Sequence, residues 1–204
     1  WGALHWTSTQ EARPGVGFSS PGLQWVTMQS SVLAPDWLLT PEGWKSGWQL
    51  VIQDGRILSL GPVTAEATPL PRQALLPGLV NAHSHAFQRL IRGRTEWRHR
   101  DRPQDDFWSW RELMYQAALS VTPEQLEQVA RLLYLEMVES GITCVGEFHY
   151  LHHQADGQPY AQPDELALRL VEAARWAGLH IVILRCAYQR SGFEQPVNPL
   201  QRRF

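Results

Sequence analysis

The stretch that decides the fold is LPGLVNAHSHAFQR, residues 76–89, in which a short apolar run ends in two histidines. The run at residues 79–83 is typical of a buried strand entered through a Pro-Gly turn. His83 and His85 are two positions apart, so on a strand their side chains point to the same face, roughly 6.5 to 7 Å apart along the chain. Two imidazoles placed in this way can converge on one metal ion at about 2.0 to 2.1 Å each.

Two histidines at this spacing also occur as a hydrogen-bonded pair at a strand end, and this structural interpretation stays open. The context favours the metal. The pair precedes a polar, arginine-rich stretch, residues 89–106, whose lack of periodicity predicts a long loop. Loops of this length inside a compact domain are usually functional or disordered. Loops that follow strand ends also carry the active sites of barrel enzymes.

Beyond this loop the sequence predicts a helix capped by Asp105 or Asp106, and then a second helix. Thr122 is the predicted N-cap of the second helix, because Pro123 fits the first helical position and Gln125 can complete a capping box. The buried stripe of this helix is predicted to consist of four residues at helical spacing: Leu126, Val129, Leu133 and Met137.

Two further apolar runs predict strands, one at residues 142–150 and one at residues 179–188. Between them lies a third predicted helix, which ends at Gly178. Continuously apolar strands that alternate with helices predict a parallel sheet covered on both faces. A doubly wound sheet and a (β/α)8 barrel both fit this order of elements. The glycine fingerprint of a dinucleotide-binding fold is missing from the sequence.

The part of the chain before these elements is rich in strands and turns. WQLVIQDGRILSLGP, residues 48–62, predicts a hairpin, because Asp54 and Gly55 suit the positive φ angles of a tight type I′ turn. Residues 1–27 are turn-rich and non-periodic, and the first methionine is Met28. We interpret residues 1–27 as an irregular N-terminal extension outside the native protein.

A second polar cluster, GEFHYLHH, follows the next predicted strand. Consecutive strands of a parallel sheet end at the same rim, so Glu147, His149 and Tyr150 are predicted to share one site with the histidine pair. The alternative is that the side chains only pack the loop at this rim, and this interpretation is favoured for His152 and His153. A zinc site built from the histidines of this cluster is disfavoured, because both cysteines lie within predicted strands.

The arginine-rich stretch, residues 89–102, is interpreted first as a solvated loop. Nucleic-acid binding requires a basic surface interleaved with aromatic residues. Here Trp97 is the only aromatic residue, acidic residues balance the arginines, and the whole chain has a formal net charge of -2. A third interpretation is that one arginine captures an anionic small molecule through a bidentate pair.

The composition indicates a packed core and reduced thiols. Hydrophobic residues make up 44% of the chain, which supports a sizeable core. The two cysteines are expected to be buried thiols of a reducing compartment. The sequence contains no run of about 18 apolar residues, so it predicts no membrane span. It also contains no recognisable signal peptide. The sequence therefore predicts a cytoplasmic protein that binds neither nucleic acid nor membrane.

Several motifs together resemble one family of hydrolases. LPGLVNAHSHAFQR is similar to the first metal-binding strand of the amidohydrolase superfamily. Within that superfamily, FWSWRELMY, EFHYLHH and PYAQPDELALRLVEAARWAG resemble the formimidoylglutamate deiminase family. The resemblance runs from about residue 49 to the end and is far more specific than two spaced histidines alone.

The resemblance implies an α/β fold, the N-terminal part of a (β/α)8 amidohydrolase barrel preceded by part of a small β-sandwich. Residues 28–78 would contribute to the sandwich, and residues 79–204 would form the first three β/α units. A complete barrel needs roughly 250 residues, and only about 125 follow Leu79. The far end of the sequence, NPLQRRF, is therefore interpreted as a cut.

The resemblance also implies the residues of the site. His83 and His85 would be ligands of a single zinc ion. Gln88, Arg111 and Tyr150 would bind the substrate, with Arg111 holding a carboxylate. The implied reaction is hydrolysis of N-formimidoyl-L-glutamate to N-formyl-L-glutamate and ammonia in histidine degradation. Zinc lowers the pKa of bound water and so supplies the nucleophile.

In the family, the remaining metal ligands and the histidine acid/base lie on later strands, so this chain is expected to hold no catalytic acid/base and to be inactive alone. The parent enzyme is expected to be a homodimer. Two alternatives stay open: a deaminase or chlorohydrolase of the same superfamily acting on a heterocyclic amine, and a non-catalytic truncated product. Arg111 and Tyr150 favour the amino-acid derivative, because a neutral heterocycle has no use for a carboxylate-binding pair.

Overall fold

The computed structural model describes residues 30–97, 100–101 and 104–204. The chain divides into two compact units, one ending at Leu76 and the other running Pro77–Phe204. The predicted extension, residues 1–27, lies outside the described residues. No helix in the described ranges is long and apolar enough to cross a membrane.

The first unit is a five-stranded sheet. Its strands are β1 (Ser31–Thr40), β2 (Gly43–Lys45), β3 (Trp48–Gln53), β4 (Arg56–Pro62) and β5 (Thr68–Leu75). The order is β2-β1-β3-β4, and β5 pairs with β1 in parallel. The predicted hairpin is confirmed as β3 and β4, which pair antiparallel around Asp54 and Gly55 with φ angles of 51° and 72°. Positive φ at both central residues is the signature of a type I′ turn.

The second unit combines a three-stranded sheet with helices. Its strands are β6 (Leu79–Ser84), β7 (Ile142–His149) and β8 (His180–Arg185). They pair in parallel in the order β6-β7-β8, as the sequence predicts. The α-helices are α1 (Phe107–Ser120), α2 (Pro123–Glu139) and α3 (Glu165–Ala177). Two short 3-10 helices, Ala86–Ile91 and Pro199–Gln201, complete the unit.

The helix ends follow the local signals in the sequence. Asp106 caps α1, because its Oδ1 accepts hydrogen bonds from the backbone N–H groups of Trp108 and Ser109. The capping box of α2 is confirmed: the Thr122 hydroxyl accepts from the Gln125 N–H, and the Gln125 side chain accepts from the Thr122 N–H. Gly178 ends α3 in the left-handed conformation.

The buried stripe of α2 differs from the prediction at its two middle positions. Leu126 and Met137 are buried as expected, but Ala130 and Tyr134 lie between them instead of Val129 and Leu133. Each of these two residues follows the predicted one by one position, and Val129 and Leu133 themselves are partly buried. Tyr134 has no exposed surface, and Leu133 packs against the core while staying partly exposed.

The described helices cover only one face of the three-stranded sheet. Val145, on the covered face, has no exposed surface and belongs to the core. On the opposite face, Val80, Val182 and Leu184 are 66%, 54% and 42% exposed. The prediction of strands buried on both faces is therefore wrong for β6 and β8, because no described segment covers this second face.

A bulge in β6 decides which way the histidine pair points. Asn81 pairs with Val145 and Ser84 pairs with Glu147, so three steps along β6 match two steps along β7. The extra residue shifts the alternation of side chains. As a result, Ser84 points to the covered side with Glu147, whereas His83 and His85 lie on the open side.

The close approach of β6 and β7 at the bulge requires glycine at position 146. A Cβ atom at Gly146 would lie 2.9 Å from the carbonyl oxygen of Ala82. We expect Gly146→Ala to lower the free energy of unfolding by about 1 to 3 kcal/mol, because the strands must separate. Urea denaturation measures this change. Gly61→Ala is the control, since a Cβ there meets nothing within 4 Å. Equal stability of the two variants would contradict the prediction.

A buried arginine ties the end of the second unit to two other segments. Arg203 is only 1% exposed. Its guanidinium donates hydrogen bonds to the carbonyl oxygens of Ala118, Val121 and His153 and to the Tyr160 hydroxyl. Burial lowers the pKa of Arg203 from its usual value. These bonds join the end of α1 to the loop between β7 and α3.

Candidate active site

The two predicted metal ligands lie side by side at the end of β6. The Nε2 atoms of His83 and His85 are 2.9 Å apart. The ring of Phe148, at the end of the neighbouring strand, stacks on His83 and meets His85 edge-on, with centroid distances of 5.8 and 5.3 Å. The pair therefore converges on one point at the open side of the sheet.

The orientation of His85 leaves one ring nitrogen free to bind a metal. Its Nδ1 lies 3.0 Å from the carbonyl oxygen of Phe148. Because a carbonyl oxygen only accepts hydrogen bonds, Nδ1 carries the proton and Nε2 keeps its lone pair. Burial lowers the pKa of His85, and the bond to Phe148 only partly offsets this effect. A neutral imidazole with a fixed Nδ1 proton is the usual form of a histidine ligand.

The histidine pair fits two corners of a zinc site. Tetrahedral ligands at about 2.05 Å from zinc lie about 3.3 Å from each other, so the two Nε2 atoms need to separate only slightly to bind one ion. In the described part of the chain, no group of three or more histidine, cysteine or acidic side chains is placed to hold a metal. The pair is therefore compatible with a metal but supplies only part of a coordination sphere.

Glu147 holds the backbone that follows the pair. Its carboxylate is 2% exposed, and its Oε1 accepts a hydrogen bond of 2.6 Å from the N–H of Ala86. Burial raises the pKa of the Glu147 carboxyl, an effect that the bond to Ala86 partly offsets. The sequence predicted only that Glu147 shares the site and assigned it no role. In the structure, Glu147 binds the backbone directly after His85.

All three predicted substrate-binding residues line one cavity beside His85. The cavity has a volume of about 510 Å³, within the range of about 300 to 1,000 Å³ that is usual for small-molecule sites. Gln88, Arg111 and Tyr150 contribute polar groups to its wall. The remaining wall is mostly aromatic and includes Phe107, Trp110, Tyr115, Tyr188 and Phe204.

Gln88 and Tyr150 form a hydrogen-bonded pair inside this cavity. The Gln88 amide nitrogen donates to the Tyr150 hydroxyl at 2.9 Å. The hydroxyl in turn lies 3.8 Å from the sulfur of Met114. Burial raises the pKa of Tyr150, so the phenol keeps its proton at neutral pH. The pair presents neutral donors and acceptors beside the histidines.

Arg111 brings a positive charge to the same cavity. Its guanidinium carbon lies 4.4 Å from the ring centroid of Trp108 and 5.6 Å from that of Tyr115. Its Nη1 donates to the carbonyl oxygen of Ser191 at 3.2 Å. Within the described residues, Arg111 forms no salt bridge. Aromatic contacts and one carbonyl therefore hold the guanidinium while its charge stays available to an anion.

The other histidines of the polar cluster lie outside the cavity. His149 is buried, which lowers its pKa to about 3. Its ring meets that of His152 at a centroid distance of 5.2 Å, and the His152 Nε2 lies 2.6 Å from the carbonyl oxygen of Cys186. This hydrogen bond supports the packing interpretation for His152. Of the cluster, only Tyr150 reaches the cavity wall.

The first arginines of the polar stretch have structural partners. Arg89 binds Glu136 of α2 through two bonds of 2.8 and 3.1 Å, and Arg92 approaches the same carboxylate at 3.3 Å. Both guanidinium groups share this one carboxylate on the outside of α2. Anion capture by Arg89 or Arg92 is therefore disfavoured.

One wall of the cavity was not predicted from the sequence. Tyr188, Arg190 and Ser191 follow β8, and Gln201 and Phe204 lie near the end of the chain. The sequence does contain a signal for this wall. A polar segment follows the third parallel strand directly, and the ends of consecutive parallel strands share one rim.

Comparisons with known proteins give matches over much of the chain. The model of the amidohydrolase family matches residues 74–203. The chain is 44% identical over 169 residues to formimidoylglutamate deiminase of Pseudomonas aeruginosa, an alignment that covers 81% of this chain and 37% of the relative. It is 32% identical over 121 residues to 8-oxoguanine deaminase of the same organism, covering 56% and 26%.

Solved structures show the same relationship. An amidohydrolase from Brucella melitensis matches with a TM-score of 0.78 and 42% identity, covering 85% of this chain and 39% of that one. A zinc complex of atrazine chlorohydrolase from Arthrobacter aurescens, with a TM-score of 0.60 and 22% identity, shares the fold and is covered over 35% of its length. The chain thus spans less than two fifths of the relatives described here. By the match over residues 74–203, it belongs to the amidohydrolase family.

Proposed function

We propose that the enzyme containing this chain hydrolyses N-formimidoyl-L-glutamate to N-formyl-L-glutamate and ammonia, a step of histidine degradation. One observation carries the proposal: Arg111, whose guanidinium has no salt bridge among the described residues, shares a cavity with the Gln88–Tyr150 pair and His85. An amino-acid derivative offers a carboxylate for the first group and a polar reacting group for the others. The 44% identity to a formimidoylglutamate deiminase supports the same substrate.

The proposed architecture extends what the chain contains. We take β6, β7 and β8 with their helices as the first three units of a (β/α)8 barrel, and residues 28–78 as part of a small β-sandwich. Parallel strands in sequential order and the family match support the barrel. The homodimeric state and the cytoplasmic location stay predictions of the sequence.

His83 and His85 would hold a single zinc ion in this enzyme. When bound, zinc lowers the pKa of a water molecule and so provides a hydroxide nucleophile near neutral pH. Phe148 keeps the His85 ring in the coordinating tautomer through its carbonyl oxygen. The other ligands and the acid/base that protonates the leaving nitrogen would come from parts of the enzyme that this chain does not contain.

The cavity residues would orient the substrate. Arg111 pairs with a carboxylate, and its aromatic neighbours limit the directions in which the guanidinium can turn. Gln88, fixed by Tyr150, faces the formimino group with its amide. Holding the reacting carbon in one position lowers the entropic cost of bringing it together with the nucleophile.

A second candidate is hydrolysis of a heterocyclic amine. The aromatic wall formed by Tyr150, Tyr188 and Phe204 favours it, because such rings stack on a flat substrate. The 8-oxoguanine deaminase is also a relative. Arg111 distinguishes the two candidates, since a neutral ring leaves its charge without a partner. A non-catalytic product is the third alternative, and activity of the complete reading frame would exclude it.

The test is ammonia release by the protein from the complete open reading frame that contains this chain. We expect release from N-formimidoyl-L-glutamate that stops after chelation and returns with zinc. Arg111→Ala is expected to lower kcat/KM about 100-fold, because a charge-assisted carboxylate bond contributes about 1.5 to 3 kcal/mol. Arg175→Ala is the control, since Arg175 pairs with Glu172 on α3, away from the cavity. Release from a heterocyclic amine alone would overturn the substrate.

A further inference from the structure

We infer that Glu147 is a positioning residue of the histidine pair: it fixes the peptide unit between His85 and Ala86 and thereby raises the affinity of the pair for its metal. The inference rests on the proposed function, because the metal site is part of it. It goes further by assigning a role to Glu147, which neither the sequence pattern nor the family resemblance supplies. The contacts on both sides of this peptide unit and the burial of Glu147 carry the inference.

His85 occupies the position directly before a 3-10 helix, Ala86–Ile91. The first N–H groups of a helix have no partner within it, and a side chain at this position commonly accepts a hydrogen bond from one of them. The His85 side chain makes no such bond. Its Nδ1 lies instead beside the carbonyl oxygen of Phe148. The start of the helix therefore needs an acceptor other than the ring of His85.

Glu147 supplies this acceptor from the neighbouring strand β7. Its Oε1 accepts the hydrogen bond from the Ala86 N–H at 2.6 Å. The carbonyl group of the same peptide unit belongs to His85, and its oxygen accepts from the Gln88 N–H at 2.9 Å. Both polar atoms of this peptide unit are thus held. Because the unit begins at the Cα atom of His85, the backbone of His85 is restricted on its C-terminal side.

Two consecutive residues of β7 hold the backbone and the ring of His85. Glu147 holds the peptide unit, and the carbonyl oxygen of Phe148 lies 3.0 Å from Nδ1. Such contacts orient a metal ligand, because they fix the direction of the Nε2 lone pair. Loss of the backbone bond would let the ring turn away from the point that it shares with His83. The expected consequence is weaker metal binding by an unchanged set of ligands.

The burial of Glu147 supports this role. The residue is only 2% exposed. The Tyr134 hydroxyl lies close to its carboxyl, but among the described residues neither this hydroxyl nor Oε2 of Glu147 completes a hydrogen bond. Burying a polar group costs free energy unless a hydrogen bond compensates for it. The bond to Ala86 is therefore the main compensation for a carboxyl at this position.

Glu147→Gln and Glu147→Met in the complete enzyme test the inference. The two new side chains have similar lengths and no charge, but only an amide offers a carbonyl oxygen to the Ala86 N–H. We expect zinc affinity, measured by competition with a chromogenic chelator, to fall about 10- to 100-fold in Glu147→Met. Glu147→Gln should bind zinc nearly as tightly as the unaltered enzyme. Unaltered affinity in Glu147→Met, or an equal loss in both variants, would overturn the inference.

Cobalt(II) bound in place of zinc provides a readout that a purely structural role would not change. Its visible absorption bands depend on the geometry of its ligands. These bands should shift in Glu147→Met and match the unaltered enzyme in Glu147→Gln. Unshifted bands in Glu147→Met would overturn the inference.

Glu147→Asp replaces Glu147→Met if that variant does not fold, as judged by urea denaturation of the metal-free protein. It keeps the carboxylate but is one methylene shorter, so its oxygen should not reach Ala86 and zinc binding should again weaken. Unaltered zinc affinity in Glu147→Asp would overturn the inference.

Tyr134→Phe is the matched control, because it removes a buried hydroxyl close to the same carboxyl and leaves the bond to Ala86 in place. Its zinc affinity should equal that of the unaltered enzyme. A loss as large as that in Glu147→Met would mean that any change in this buried region weakens the site, and would overturn the specific role of the bond to Ala86.

Ammonia release from N-formimidoyl-L-glutamate separates this inference from the proposed reaction. An enzyme whose zinc affinity depends on Glu147 as expected, but which releases no ammonia from this substrate, would uphold the inference and overturn the reaction. An active zinc enzyme in which Glu147→Met binds zinc without loss would uphold the reaction and overturn the inference.

Discussion

His85→Ala is expected to remove the bound metal and to lower the rate of ammonia release by a factor on the order of 1000, about 4 kcal/mol of barrier. His85 is the better oriented member of the pair, because the carbonyl oxygen of Phe148 fixes its Nδ1 proton. Its loss leaves His83 alone at this end of the sheet and removes the means of generating a nucleophile near neutral pH. Metal content by emission spectrometry and ammonia release, both on the complete enzyme, measure the two effects.

His180→Ala is the control for this experiment. His180 begins β8, is exposed and does not line the cavity. The variant should keep its metal and its activity. A His85→Ala enzyme with full metal content would contradict the prediction. The pair would then be a hydrogen-bonded strand end, an interpretation with which the 2.9 Å contact between the two Nε2 atoms is also compatible.

The second large effect concerns stability. Arg203→Leu is expected to lower the free energy of unfolding by about 4 kcal/mol, because each buried carbonyl left without its donor costs about 1 to 3 kcal/mol. The carbonyl oxygens of Ala118, Val121 and His153 would all lose the guanidinium. Leucine fills part of the volume but supplies no hydrogen bond. Urea denaturation followed by circular dichroism gives the difference.

The neighbouring arginine provides the comparison. Arg202 is exposed, and its guanidinium donates to the carbonyl oxygens of Ala155 and Pro199. Because water replaces those bonds, Arg202→Leu should change the stability by less than about 1 kcal/mol. Similar losses for the two variants would show that burial of the Arg203 guanidinium contributes nothing specific.

Features that depend on a few adjacent residues were predictable from the sequence. The turn at Asp54 and Gly55 and the capping box of Thr122 and Gln125 formed as expected, because each needs only local geometry. The parallel order of β6, β7 and β8 was predictable from alternating helical and apolar segments. The three residues predicted to bind the substrate came from the resemblance, and the structure brings them into one cavity with His85.

Features that depend on contacts distant along the chain were not predictable in this way. The direction of His83 depends on a bulge, which the apolar pattern of β6 does not reveal. Arginine is usually a surface residue, and Arg203 is buried only because α1 and the loop after β7 surround it. One local signal was overlooked: Asn198 and Gln201 form a capping box around a 3-10 helix in a segment that looked featureless.

The residues that line the cavity come from separate segments of the chain. Gln88 follows β6, Arg111 lies on α1, and Arg190 follows β8, whereas the histidine pair lies at the end of β6. Substitutions within residues 187–198 are thus expected to change the wall of the cavity without replacing either histidine of the pair.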